Sequence, residues 1–100
     1  MKVALVCASG MSTSLLVNSM RKFAGEEDKI AAFPVDALEM WINEYDVILV
    51  GPQLRFRFQE IENTVRKYNK PILLLDGKLF GKMDGNAVMS LARNAFEQNK

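Results

Sequence analysis

Apolar residues in this chain follow two spacings, and the alternation between them predicts the architecture. Short unbroken runs at residues 3–6 and 47–50 have the length and β-branched content of strands buried on both faces. Residues 12–24 instead repeat apolar positions every three or four residues (Leu16, Met20, Phe23), which predicts a helix closed by Gly25. Residues 30–35 read as a second strand; Pro34 within it lacks the donor a central strand needs, so this strand belongs at a sheet edge. Asp36 is placed to cap a second helix with Ala37, Leu38, Trp41, Ile42 and Tyr45 on one stripe. Gly51-Pro52 breaks the chain, and Pro52 suits an early helical position. Phe58, Ile61, Val65 and Tyr68 give a third helix its buried face, residues 71–75 form a fourth strand, and residues 76–84 are expected as a loop. A last helix from about Gly85 is expected to bury Val88, Leu91, Ala92, Ala95 and Phe96.

Strands alternating with helices predict an α/β fold: an open four-stranded parallel sheet with right-handed crossovers and helices on both faces. Strand order 2-1-3-4 puts the Pro34 strand at an edge and places the topological switch point beyond the carboxyl ends of strands one and three, where such sheets bind ligands. The residues falling there are 7–14 and 51–57.

Composition narrows the chemistry. One hundred residues suit a single domain spanning 1–100, and no repeat, linker or low-complexity tract interrupts it. Thirteen basic residues against twelve acidic ones leave a net charge of +1, too little for nucleic-acid binding by bulk charge. There is no histidine and only one cysteine, so Cys/His zinc sets, internal disulfides and every histidine-base mechanism are excluded; no metal is expected. No apolar run is long enough to span a membrane, and the stretch after Met1-Lys2 is too short for a signal peptide. A lone reduced thiol is then expected in the cytoplasm.

The candidate chemistry lies in Cys7-Ala8-Ser9-Gly10-Met11-Ser12-Thr13-Ser14, running from a buried strand into a helix. Small residues and Gly10 let successive backbone N–H groups curl into an anion-binding nest at the helix N-terminus. Ser12, Thr13 and Ser14 add hydroxyl donors, and donors that stabilise a thiolate would equally hold a phosphoryl group on its sulfur. The first acidic residue is Glu26, so no carboxylate near the loop in sequence repels phosphate. The structural alternatives are that Cys7 is an inert small hydrophobe and the hydroxyls are caps. Gln53, Arg55 and Arg57 likewise have two readings, a helix start with solvated arginines or a docking and charge-screening segment beside the loop. Phe56 and Phe58 would add an apolar contact patch in the second reading, and Met11 is either a loop anchor or a contact.

Three segments give a more specific indication. Residues 7–16 (Cys-Ala-Ser-Gly-Met-Ser-Thr-Ser-Leu-Leu), Gly51-Pro52-Gln53-Leu54-Arg55 and Phe80-Gly81-Lys82-Met83-Asp84-Gly85 together resemble the lactose/cellobiose-type B component (enzyme IIB) of the bacterial sugar phosphotransferase system, over nearly the whole chain. The resemblance implies a phosphocysteine carrier that accepts phosphate from a phosphohistidine on a IIA partner and passes it to a sugar held by the membrane IIC component. Cys7 matches the phosphorylated cysteine, and Ala8, Ser9, Gly10, Met11, Ser12, Thr13 and Ser14 match the phosphate loop. A monomer without cofactor, without nucleic-acid partner and without membrane insertion of its own is expected. Low-molecular-weight tyrosine phosphatases share the strand–loop–helix arrangement, but their Cys-x5-Arg pattern meets Thr13 here, which removes the guanidinium that clamps phosphate. Asp76 or Asp84 would have to supply the acid for that alternative. Receiver domains, which want carboxylates where Cys7 stands, and flavin sites, which want flanking aromatics, fit less well. The sugar is open between cellobiose- or chitobiose-like disaccharides, other β-glucosides and lactose.

Overall fold

The computed structural model describes residues 1–7 and 11–99, with Met11 and Ser12 described by backbone alone. The chain runs β1 (Lys2–Cys7), α1 (Met11–Arg21), β2 (Lys29–Pro34), α2 (Leu38–Trp41), β3 (Val47–Val50), α3 (Phe58–Arg66), β4 (Ile72–Leu74), α4 (Gly77–Gly81) and α5 (Gly85–Gln98). All strand pairs are parallel, in the order β2-β1-β3-β4. The expected fold class and order are therefore present.

Because side chains alternate across a strand, the central strands supply two cores at once. Val3, Leu5, Val47 and Leu49 face α1, α4 and α5, where they meet Leu16, Met20, Phe80, Val88 and Met89. Ala4, Val6, Ile48 and Val50 face the other way, onto Leu38, Trp41, Ile42, Ile61 and Val65 of α2, the turn after it and α3. The four-residue run 47–50 is fully enclosed, as its unbroken apolar sequence requires.

The edge position of β2 explains its proline. The Lys29 N–H donates to the Met1 carbonyl, so alternate residues from Lys29 turn their backbone groups toward β1, and Ile30, Ala32 and Pro34 turn theirs to the open edge. Pro34 removes one outward donor there. Arg21 Nη2 donates to the Ile30 carbonyl at 2.9 Å and occupies an outward acceptor, so the edge is blunted at both ends.

Several local expectations need correction. Helix α1 ends at Arg21, and Phe23, extrapolated along its stripe, is 45% exposed in the following turn. The second helical segment is not one regular helix: 3₁₀ turns Val35–Ala37 and Ile42–Glu44 flank the four-residue α2, and Asp36 caps nothing, its carboxylate instead facing Arg57. The loop expected at residues 76–84 contains α4, started by Asp76, whose side chain accepts from the Lys78 N–H at 2.9 Å. Leu91 is 40% exposed, because the buried face of α5 is Gly85, Val88, Met89 and Ala92. At about 100° per residue, Leu91 lies roughly 110° from the centre of that face.

Asp28 fastens the amino-terminal edge of the sheet. It accepts from the Gly25 N–H at 2.9 Å, meets the Met1 ammonium at 3.2 Å and lies 3.6 Å from Arg93. The Gly25 hydrogen bond, with the two cations, holds its carboxyl below the ordinary value of 3.8 against the opposing effect of burial. Ionised Asp28 therefore adds stability above the unfolded-state value, and that stability disappears as falling pH protonates the folded form. Asp28→Asn is expected to lower the urea midpoint at neutral pH, with the gap to the unchanged chain narrowing as the pH falls below about 5. A gap independent of pH would show that the carboxylate's charge is not what matters.

Candidate functional site

Cys7 ends β1, next to Pro34 in β2, at the point where β1 and its neighbour β3 hand the chain to different faces of the sheet. It is buried, with about one tenth of its surface accessible, and its Sγ lies 3.7 Å from the Phe33 carbonyl oxygen, a thiol-to-backbone hydrogen bond. The carbonyl is fixed from the far side. Phe33 stacks on Trp41 with ring centroids 4.5 Å apart, and Tyr45 meets both rings edge-on at 5.2 and 5.8 Å. Trp41 is buried with its indole N–H unpaired, so it serves here as an apolar slab behind the Phe33 ring.

Among the expected loop residues, Ala8, Ser9 and Gly10 lie outside the described residues, as do the side chains of Met11 and Ser12. The backbone of Met11 opens α1, and Thr13 in its first turn is buried at 3% exposure, while Ser14 is exposed. The 11-residue α1 thus begins four residues beyond Cys7, with its first-turn N–H groups at the switch-point end of the sheet.

The second segment closes on the first through Gly51. Its N–H donates to the Val6 carbonyl at 3.0 Å, joining the end of β3 to the residue before Cys7. A β-carbon at Gly51 would stand 2.7 Å from Gln53 Oε1, so the glycine leaves room for the Gln53 amide to fold back over this junction. Pro52 then opens two short 3₁₀ turns that span Pro52–Arg57 with a kink at Leu54, as its missing N–H permits. Arg55 is exposed and makes no ion pair among the described residues, whereas Arg57 is committed to Glu60 at 3.3 Å and faces Asp36 at 4.0 Å. Phe58 packs against the α2/α3 core, while Phe56 stands 82% exposed. The structure therefore brings Gln53 to the Cys7 junction, leaves Arg55 free at the surface and ties Arg57 down.

Sequence reasoning missed the Phe33 carbonyl, since any residue supplies one; the signal was the parallel pairing that sets a short strand ending in proline beside Cys7. Asp76 and Asp84, offered by the sequence only as loop aspartates and as the acid of the phosphatase alternative, both cap helices. Asp76 caps α4, and Asp84 accepts from the Ala87 N–H at 3.1 Å as the cap of α5. Among the described residues no group of three or more Cys, Asp or Glu side chains is arranged to hold a metal ion, and no helix is long and apolar enough to cross a membrane.

Residues 2–91 match the family model described as "PTS system, Lactose/Cellobiose specific IIB subunit". The chain is 36% identical to the oligo-beta-mannoside-specific EIIB component of Bacillus subtilis, over 97% of this chain and 90% of that one. It superposes on the solution structure of the cellobiose-specific phosphotransferase IIB component from Borrelia burgdorferi with a TM-score of 0.83, at 34% identity, covering 100% of this chain and 94% of the other. It is also 25% identical to part of the lactose-specific EIICB component of Lactococcus lactis, matching 95% of this chain and 18% of that longer protein. By sequence, strand order and superposition, the chain belongs to the lactose/cellobiose-specific IIB subunits of the sugar phosphotransferase system, and is a phosphotransferase component of sugar transport.

Proposed function

We propose that residues 1–100 act as one carrier domain on the cytoplasmic side of the membrane, and that Cys7 carries the phosphoryl group. The observation that carries this reading is the position of the chain's single thiol at the switch point, four residues ahead of α1 and beside the Gly51–Gln53 junction. In the first transfer the Cys7 thiolate attacks phosphorus of a phosphohistidine on the IIA component; the S–P bond forms, the N–P bond breaks and the imidazole nitrogen keeps its electron pair. In the second, a hydroxyl of the sugar held by the IIC component attacks the same phosphorus, the S–P bond breaks, the thiolate departs and the hydroxyl proton is released. In-line transfer of this kind depends on positioning and charge stabilisation more than on acid–base groups, which suits a chain without histidine. The EIICB relative, which carries a matching segment within a longer protein, supports the IIC component as the acceptor partner. The sugar stays a class, a disaccharide of the cellobiose, chitobiose or lactose type or another β-glucoside, and relatives of nearly equal identity named for oligo-beta-mannoside, galactose and cellobiose do not single out one sugar.

Transfer rather than hydrolysis follows from two features. Thr13 stands where a phosphatase of similar topology has its arginine. Asp84 caps α5 against the last turn of α1, with Gly85 packed on Ser19, eight residues and therefore about 12 Å along the helix from Met11. The S-phosphorylated chain is expected to persist in buffer and to discharge on adding the IIC component with its sugar, or the dephosphorylated IIA component. Para-nitrophenyl phosphate is expected to be turned over negligibly by the isolated chain. Rapid Cys7-dependent hydrolysis of that ester would instead make the chain a phosphatase.

A further inference from the structure

The face of the molecule opposite α1 and α5 carries a groove of about 340 Å³ between residues 35–40 and α3. Leu38 and Ile61, both buried, line it. Three carboxylates, Asp36, Glu39 and Glu60, border it against one guanidinium, Arg57, and that cation already lies between two of them, 4.0 Å from Asp36 and 3.3 Å from Glu60. The rim is therefore net negative. Met40 on the groove and Phe56, the residue before Arg57, are 87% and 82% exposed, the most exposed large apolar side chains among the described residues. An acidic groove flanked by uncovered apolar side chains is complementary to a cationic side chain set among apolar ones. Its position matters as well: Val35 follows Pro34, the partner of Cys7 in the sheet, so the groove opens at the same end of the sheet as the thiol.

We propose that this groove receives a Lys- or Arg-bearing cytoplasmic segment of the membrane IIC component, which aligns Cys7 with the bound sugar; the proposal rests on the carrier reading above. The choice of occupant comes from charge: cytoplasmic segments of membrane proteins carry an excess of Lys and Arg, whereas no comparable rule makes the surface of a soluble phosphate donor basic. Opposite charges on the two surfaces steer the encounter in a salt-dependent way.

Glu39→Lys and Met40→Ser alter exposed side chains, and circular dichroism should match that of the unchanged chain. The assay uses full-length protein, the phosphorylated IIA component and inverted vesicles holding the IIC component that accepts phosphate from the unchanged chain. Both variants are expected to be charged by IIA at the unchanged rate. The Glu39→Lys concentration giving half-maximal sugar phosphorylation is expected to rise roughly tenfold, as for the loss of an interface anchor. Added salt should raise that concentration for the unchanged chain and for Met40→Ser, and much less for Glu39→Lys. An unaltered half-maximal concentration in both variants, or an equal loss in charging by IIA, would overturn the assignment, the second outcome giving the groove to the donor. If the unchanged chain takes no phosphoryl group on Cys7, the carrier reading itself fails, an outcome distinct from a chain that charges normally while both variants match it.

Discussion

Cys7→Ser is expected to abolish phosphoryl transfer to sugar while leaving the fold in place. Oxygen is smaller than sulfur, so serine fits at the end of β1 without overpacking and gives up only the long thiol contact to the Phe33 carbonyl. What is lost is nucleophilicity: a serine hydroxyl without an adjacent base is un-ionised near neutral pH and attacks phosphorus poorly, and no histidine exists in the chain to activate it. Sugar phosphorylation in the reconstituted system should fall by at least about a thousandfold, as when a covalent nucleophile is removed. The urea midpoint should stay near that of the unchanged chain. Retention of more than about a tenth of the rate would place the acceptor elsewhere.

Gly85→Ala is expected to have the largest effect on stability, with a sign opposite to the usual one. Alanine in a helix is ordinarily favoured over glycine by about 1 kcal/mol. At Gly85, however, a β-carbon would lie 2.4 Å from the Ser19 carbonyl carbon and 2.5 Å from the Met20 nitrogen, both backbone atoms that cannot rotate away. Helix α5 would have to retreat from α1. That movement would break a clasp in which Ser19 Oγ donates to the Met83 carbonyl at 2.8 Å and accepts from the Gly85 N–H at 3.1 Å. Overpacking of this kind costs about 3 kcal/mol, which lowers the Tm of a domain this size by at least about 10 °C. Gly81→Ala is the internal control: nothing lies within 4 Å of its would-be β-carbon, so the substitution should be neutral or slightly stabilising. Equal effects at the two glycines would mean that the α1–α5 contact is looser than the structure describes.

The parts of the fold that were legible are those in which one physical demand dominates. Residues 3–6 and 47–50 had to be strands enclosed on both faces because no other short element buries every side chain, and Pro34 had to lie at an edge because it lacks a donor. Strand order then followed from parallel crossovers, and with it the meeting of Cys7 and Gly51. Periodicity was less reliable at element ends. Phe23 continues the α1 stripe in sequence, but the chain has already turned toward Asp28. Leu38, Trp41 and Ile42 keep helical spacing through a segment that mixes 3₁₀ and α turns, because both geometries bring residues three or four apart to one side. Helix α4 was hidden because five residues are too few to show a period. At the site, Cys7, Gln53, Arg55 and Arg57 could be named as candidates from sequence, while the Phe33 carbonyl, the Arg57–Asp36 contact and the acidic groove depend on tertiary placement that no local pattern encodes.

The most direct measurement is to locate the phosphoryl group. The chain is incubated with a competent phosphorylated IIA component, its intact mass is recorded under conditions that preserve a phosphothiol, and the modified residue is identified by peptide mapping. The carrier reading predicts one phosphoryl group, on Cys7, and none on the Cys7→Ser chain. A phosphoryl group on Ser9, Ser12, Thr13, Ser14 or an aspartate, with Cys7 unmodified, would contradict it.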